Sequence, residues 1–321
     1  MRRTRLGSGL SALVLVLVLL VPFLASTPGQ AANHQRGSLR IGLVGSLFRN
    51  TPEALIQIMM GPFKSLMVSQ TGLRGEIVSG GEYDALAEKL KEGKVDLGVF
   101  HGVEFAWARM KHPELEPVFI CVNHHHSLRA FLVVRSDGKV TKPALLAGKR
   151  VGLPATSKEH CRLFLSRRCV RPGTTPEKFF SALNNPFDTE EALDNLIYRL
   201  SDAAIVDAVE WEHYQKIKPG VARRLRVLLE SEPLPCGVVA YHAGQLPKEQ
   251  VKRFRDGMIR ARSTRKGRQL LRLSRLTSIE PVPADYDAQL AAALKAYPPP
   301  PPKTATTEDK EKGEEKKKAA E

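Results

Sequence analysis

The sequence predicts a two-lobed α/β protein with a ligand cleft between lobes joined by crossing strands. Strand-like runs alternate with amphipathic helices from Leu39 to Met110, and again from Arg150 to Tyr214. Between these stretches Glu116–Asn123 and Arg129–Arg135 are consecutive β runs with no helix between them. Arg226–Leu229 and Gly237–Ala240 repeat that arrangement around Pro233-Leu234-Pro235, so the chain goes out to a second lobe and returns. Between a leader and a tail lie about 265 residues, enough for two cores.

The chain opens on the basic MRRTRLGSGL, followed by the apolar SALVLVLVLLVPFLA and a small-x-small site at Gly29-Gln30-Ala31. Residues 1–31 therefore read as a secretory signal peptide, with an uncleaved anchor as the alternative, and the mature protein as exported to the periplasm. No Cys follows the apolar run, which argues against a lipid-modified N-terminus. Lobe 1 is expected to take residues 38–125 and 235–297, and lobe 2 residues 126–234. Residues 298–321, a polyproline spacer and a tail of mixed charge, are expected to be disordered.

In lobe 1, Leu39–Val44 is a strand ended by Gly45-Ser46. A helix starting at Pro52 carries Phe63, Leu66 and Met67 and is closed by Gly72. Glu76–Val78 is the next strand, Tyr83–Glu92 the next helix with Leu86 and Leu90 on one face, and Gly93 its stop. Val95–Phe100 is a strand and Val103–Met110 a helix. In lobe 2, Arg150–Leu153 is a strand, and Ser157–Arg168, Glu177–Ala182 and Thr189–Leu200 are helices. Ala203–Val206 is a strand ending at Asp207, and a helix follows from Ala208. Val251–Leu276 forms one or two basic helices and Asp285–Tyr297 the last helix. In parallel sheets ligands bind at the carboxyl ends of strands, which places Ser46, Gly80–Tyr83 and Phe100–His101 at such ends.

With 49 Lys and Arg against 34 Asp and Glu, the net charge is +15. That balance favours anionic ligands or an anionic surface. Nucleic acid is a poor partner, because aromatic residues make up only 6% and no binding motif is present. Cys121, Cys161, Cys169 and Cys236 allow three disulfide pairings, which the sequence leaves open. His124, His125 and His126 do not make a closed metal site, since adjacent residues of an extended chain point in opposite directions. No nucleophile–base motif or nucleotide-type glycine loop is present, so neither an enzyme nor a cofactor is expected.

The stretch GKRVGLPATSKEHCRLFL (148–165) reads as strand, turn and helix start, with Thr156 and Ser157 at the free N–H groups of the helix. Hydroxyls, N–H groups and helix dipole together make an anion cup there, and the same pattern also serves as a plain N-cap. Lys158 adds a point charge. Tyr83 offers an O–H donor, and Asp207 and Glu210 offer carboxylates that accept from a ligand hydroxyl or amine.

LRIGLVGSLF, TGLRGEIVSGGEYDALAEKLKEGKVDLGVFHGVEFAWA, AGKRVGLPATS, DAAIVDAVEWEHY and ESEPLP resemble the substrate-binding proteins of phosphate, phosphite and phosphonate ABC transporters. The resemblance runs over roughly Leu39–Leu290 and implies the type 2 periplasmic-binding-protein fold. It also implies a monomer that closes on a small oxyanion and delivers it to an ABC permease. By position it assigns the ligand to Thr156, Ser157, Tyr83, Phe100, His101 and Asp207, with Glu210 one turn on. Three departures accompany it. Ala155-Thr156-Ser157-Lys158 stands where the family has Ser-x-Ser/Thr-Gly, Asp188 stands in place of a histidine, and Phe100 or His101 in place of a tyrosine. A ligand-sensing module and an enzyme on the same fold are the alternatives.

Overall fold

The computed structural model describes residues 38–49, 54, 56 and 60–301. The expected signal peptide, most of the helix start at Pro52 and the charged tail lie outside them. In chain order the first part reads β1 (Ser38–Val44), α1 (Gly61–Thr71), β2 (Arg74–Gly81), α2 (Tyr83–Lys91), β3 (Leu97–Phe100), α3 (Gly102–Lys111) and β4 (Leu115–Val122). A two-residue strand, β5 (Ser127–Leu128), leads to β6 (Ala130–Arg135), β7 (Arg150–Gly152), α4 (Glu159–Arg168), α5 (Pro176–Phe179), β8 (Ala182–Asn184), α6 (Thr189–Ile197), β9 (Ala203–Asp207), α7 (Ala208–Ile217), α8 (Pro219–Ala222) and β10 (Leu225–Glu230). The chain returns through β11 (Leu234–Pro235) to β12 (Gly237–His242), α9 (Lys248–Ile259), α10 (Arg265–Leu273), β13 (Ser278–Glu280) and α11 (Tyr286–Ala296).

Two separate sheets result. The first has the order β13-β4-β12-β3-β1-β2, with β1 parallel to both β2 and β3 and with β12 antiparallel to β3 and β4. The second has the order β10-β6-β9-β7-β8, with β7 parallel to β8 and β9. The ribbon β5–β11 lies between them, two residues paired with two. Each sheet is apolar on both faces. Leu86, Leu90, Phe105 and Ile120 fill one side of the first, and Ile41, Leu66, Phe119 and Phe254 the other. Leu132, Val151 and Phe164 fill one side of the second, and Leu193, Val206 and Trp211 the other.

The order of the parallel strands positions everything that follows. From β1 the chain steps to β2 on one side and to β3 on the other, which leaves a crevice at the carboxyl ends of β1 and β3. The second sheet repeats this with β8 and β9 flanking β7. Ser46 and His101 leave the first crevice, while the turn 154–158 and Asp207 leave the second.

Several expectations change in detail. The helix expected over Glu177–Ala182 is only Pro176–Phe179, and Ala182–Asn184 is strand β8. Phe180 is extended (φ −94, ψ 151) and its ring meets that of Phe179 edge-on at 4.9 Å in the core, so the apolar pair that reads as a helix face is a bend. The helix expected from Ser157 starts at Glu159: Ser157 N–H donates to the Pro154 carbonyl at 2.9 Å in a turn, and Lys158 is the extended N-cap. The basic stretch is two helices and a 3₁₀ turn over Phe254, Met258, Leu270 and Leu271, with most of its cations in solvent. All four cysteines are free. Cys121 and Cys236 lie on adjacent strands but on opposite faces of the sheet, one beside Phe119 and Val239, the other beside Ile120 and Val238.

Candidate functional site

The two crevices meet at the ends of helices α3 and α4. His101 is the N-cap of α3, in extended backbone (φ −66, ψ 147), and Glu104 is the third residue of the helix. A carboxylate there reaches back to the N-cap N–H, as in a capping box. The His101 backbone does act on Glu104 in this way, and the Ser46 hydroxyl donates to Glu104 Oε2 at 2.7 Å. Glu104 is 6% exposed. Burial pushes its carboxyl up to about 7, assisted by the charges of Glu159 and Glu82 and opposed by the Ser46 and His101 hydrogen bonds.

His101 is pushed the opposite way, down to about 4, first by burial and then by the charges of His160 and Arg49, against a hydrogen bond to the Ser46 backbone. Its Nε2 is buried and, among the described residues, has no hydrogen-bond partner.

On the other side, His160 Nε2 lies 3.0 Å from Asp207 Oδ2, and Lys158 Nζ donates to the same oxygen at 3.1 Å. Asp207 Oδ1 caps α7, accepting from the N–H groups of Val209 at 2.9 Å and Glu210 at 3.4 Å. Burial alone would raise the Asp207 carboxyl, but His160 and Lys158 outweigh it and hold the group far below the ordinary carboxylate range. In the amide orientation that satisfies both its groups, Asn123 accepts from Lys158 Nζ at 2.7 Å and donates to the Arg275 carbonyl at 3.2 Å.

A cavity of about 40 Å³ lies between these groups, lined by His101, Gly102, Val103, Glu104 and Trp107 on one side and by Glu159, His160 and Leu163 on the other. Leu128, Leu234 and Pro235 of the ribbon close its base. Arg49 spans it from outside. Its Nη2 and Nε donate to Glu159 Oε1 at 2.7 Å and Oε2 at 3.2 Å.

The sequence-predicted residues fall in three places. Ser46, His101 and Asp207 converge on the cavity or on residues that line it, and Lys158 joins them through Asp207. Thr156 and Ser157 sit half-buried in the turn before α4, and among the described residues neither hydroxyl has a hydrogen-bond partner. Tyr83, half-buried at the start of α2, meets Trp107 edge-on at 5.3 Å, and burial, then Asp84, Glu104 and Glu82, raise its phenol. Glu210 turns to Thr189, whose hydroxyl it accepts, and lies 3.7 Å from Arg275. Phe100 is fully buried against Phe105 at 5.7 Å, so His101 faces the cavity in its stead. Asp188 caps α6 by accepting from Glu191 N–H at 2.9 Å. His125 pairs with Glu212 and His126 with Glu280, in different directions.

Glu104, Glu159, His160 and Arg49 escape sequence reasoning. Glu104 and His160 carry one local signal: each follows a strand end by a few residues and sits in the first turn of a helix.

Two α/β sheets, a thin ribbon between them and a small cavity at facing helix starts define a two-lobed binding protein of the type 2 periplasmic class. Residues 47–286 match the model of the phosphonate ABC transporter periplasmic substrate-binding protein, and the chain belongs to that family. Solved structures agree on the fold. PhnD1 from Prochlorococcus marinus in complex with methylphosphonate is 11% identical with a TM-score of 0.54, over 81% of this chain and 97% of that one. A binding protein component of an ABC phosphonate transporter from Pseudomonas aeruginosa is 16% identical with a TM-score of 0.50, over 88% and 98%. XAC2383 from Xanthomonas citri, bound to ATP, is 17% identical with a TM-score of 0.56, over 81% and 97%. Among curated proteins none matches the sequence. Among the described residues no helix is long and apolar enough to cross a membrane.

Proposed function

We propose that the protein is a periplasmic solute-binding protein, exported by residues 1–31, that captures a small oxyanion and delivers it to an ABC permease as a monomer. The ligand is phosphate, phosphite or a phosphonate. The observation that carries this reading is the small cavity enclosed between the first turns of α3 and α4, with the Arg49–Glu159 pair joining the two sides above it. Helix N-termini favour negative charge, and an enclosed site strengthens each hydrogen bond to it.

Thr156 and Ser157 donate to the ligand's oxygens from the second lobe, with Tyr83, Ser46 and His101 opposite. Lys158 and Asp207 act mainly on each other and hold the turn in place, and Glu210 is engaged by Thr189 and Arg275. Closure follows because contacts to both lobes form only when the lobes meet.

A thermal-shift screen with phosphate, phosphite, methylphosphonate, aminoethylphosphonate, sulfate and carboxylates tests the reading. A ligand at a hundredfold excess over its dissociation constant adds about 2.7 kcal/mol of apparent stability. A shift with an uncharged solute and with none of the oxyanions would overturn it.

A further inference from the structure

The cavity is unusual for an anion site in what surrounds it. The titratable residues lining it are two histidines and two glutamates, and no Lys or Arg lines it. Arg49 is engaged by Glu159 and Lys158 by Asp207. A dianion placed there would be buried beside carboxylates with no free cation, a costly arrangement.

What the cavity does offer is acceptors. His101 Nε2 is buried and without a partner among the described residues. The other ring nitrogen serves the Ser46 backbone, and since that contact favours the protonated ring it is a ring N–H donating to the carbonyl. Nε2 of the neutral ring is then a bare lone pair. Glu104, one turn along, receives the Ser46 hydroxyl on Oε2. The His101 backbone serves the same carboxyl, so of the two groups His101 Nε2 is the one left needing a donor, and a buried polar group without one costs about 1–3 kcal/mol.

We infer that His101 Nε2 is an acceptor that selects an oxyanion bringing its own hydroxyl proton, a P–OH group, over one that is fully ionised. The inference rests on the oxyanion reading above and goes beyond it by naming the protonation state and the residue that chooses it. A phosphonate or phosphite monoanion donates to Nε2, whereas a sulfonate of the same shape leaves that acceptor bare. The charged and titratable groups that face His101 are His160 and Arg49, with Glu104 and Glu159 on the same cavity. Trp107, Leu163 and Leu234 form the apolar remainder of the wall, against which a short alkyl group packs.

Methylphosphonate and methanesulfonate differ in this one proton, and calorimetric titration of the mature protein with each in slightly acidic buffer tests the inference. Methanesulfonate is expected to bind about a hundredfold more weakly, the effect of stranding a buried acceptor. In His101→Phe, checked for an unchanged circular dichroism spectrum, the ratio should shrink about tenfold through weaker methylphosphonate binding. Equal affinity of the native protein for the two ligands overturns the inference and leaves the oxyanion reading standing. A ratio unaffected by His101→Phe also overturns it, and should that variant not fold, the native ratio decides alone. If neither compound binds and no other oxyanion does, the reading and the inference fall together.

Discussion

Arg49 and Glu159 form a two-pronged ion pair between chain segments 110 residues apart, one just after β1 and the other at the start of α4. The arginine is 49% exposed, so the pair itself contributes at most about 1 kcal/mol to folding. Its consequence is conformational, because with Arg275–Glu210 and His125–Glu212 it is one of the exposed ion pairs that join the two bodies. Arg49→Ala is expected to change the melting temperature little while raising the radius of gyration of the ligand-free protein in small-angle scattering. Unchanged scattering would mean that the pair does not bias closure.

Asp207 serves a helix cap with one oxygen and Lys158 and His160 with the other. Asparagine keeps the cap but not the charge. Asp207→Asn should therefore destabilise by about 3 kcal/mol, because it leaves Lys158 without a counter-charge and His160 without its carboxylate partner in a largely buried place. Asp207→Ala should cost about 1 kcal/mol more through the lost cap. Denaturant titration of the two variants separates the contributions.

Thr156 and Ser157 hold up nothing else in the structure. The double change to alanine is expected to leave the melting temperature within about 2 °C, equivalent to surface substitutions, and to abolish the ligand-induced shift. Retained binding would place the oxyanion elsewhere in the cleft.

Glu104 and His101 give the stability opposite pH dependences. The Glu104 carboxyl is raised from 4.5 to about 7, so between these values the native state holds a proton that the unfolded chain has lost, and stability falls as pH rises. His101 is lowered from 6.5 to about 4, so in that window the unfolded chain binds the extra proton, and stability falls as pH drops. The slopes nearly cancel between pH 4.5 and 6.5. Glu104→Gln keeps an acceptor for Ser46 and removes the penalty at higher pH. It should raise the stability at about pH 8 by up to about 3 kcal/mol and leave a rise between pH 4 and 6.5 uncovered. Melting curves across this range check both effects.

Gly102 opens α3 directly beneath the ribbon, and a Cβ there would stand 2.3 Å from the Pro235 carbonyl oxygen and 2.5 Å from that of Cys236. Backbone cannot yield as a side chain does. Gly102→Ala is expected to destabilise by about 1–3 kcal/mol and to weaken ligand binding as the cavity wall shifts. A neutral result in both assays would show that the ribbon gives way freely.

The alternation of strands and helices is legible in the sequence because each element carries its own period, 3.6 along Tyr83–Lys91 and none in the fully buried Ala203–Asp207. The three-residue strands β8 and β13 are too short to carry a period, and only their neighbours in the sheets make them strands. The same division runs through the site. Thr156, Ser157 and Asp207 can be found because hydroxyl turns and strand ends are local patterns. The pairs Ser46–Glu104, His160–Asp207 and Arg49–Glu159 join residues 47 or more positions apart. Nothing in either local stretch marks such a pair, so the acidic and histidine-lined character of the cavity emerges only from the folded chain.

The place of β12 in the first sheet has a consequence for the order in which the molecule is made. That strand lies between β4 and β3, near the middle of the sheet, yet it begins at Gly237, after the entire second sheet. While the chain is being synthesised, β1 to β4 therefore exist with a vacant central lane that no earlier segment fills. The second sheet, whose strands are contiguous in sequence, is free to assemble first, and the first must wait for a strand supplied more than a hundred residues later. Such long-range closure is slow, so the central lane of the first sheet stays open until the last third of the chain has been made.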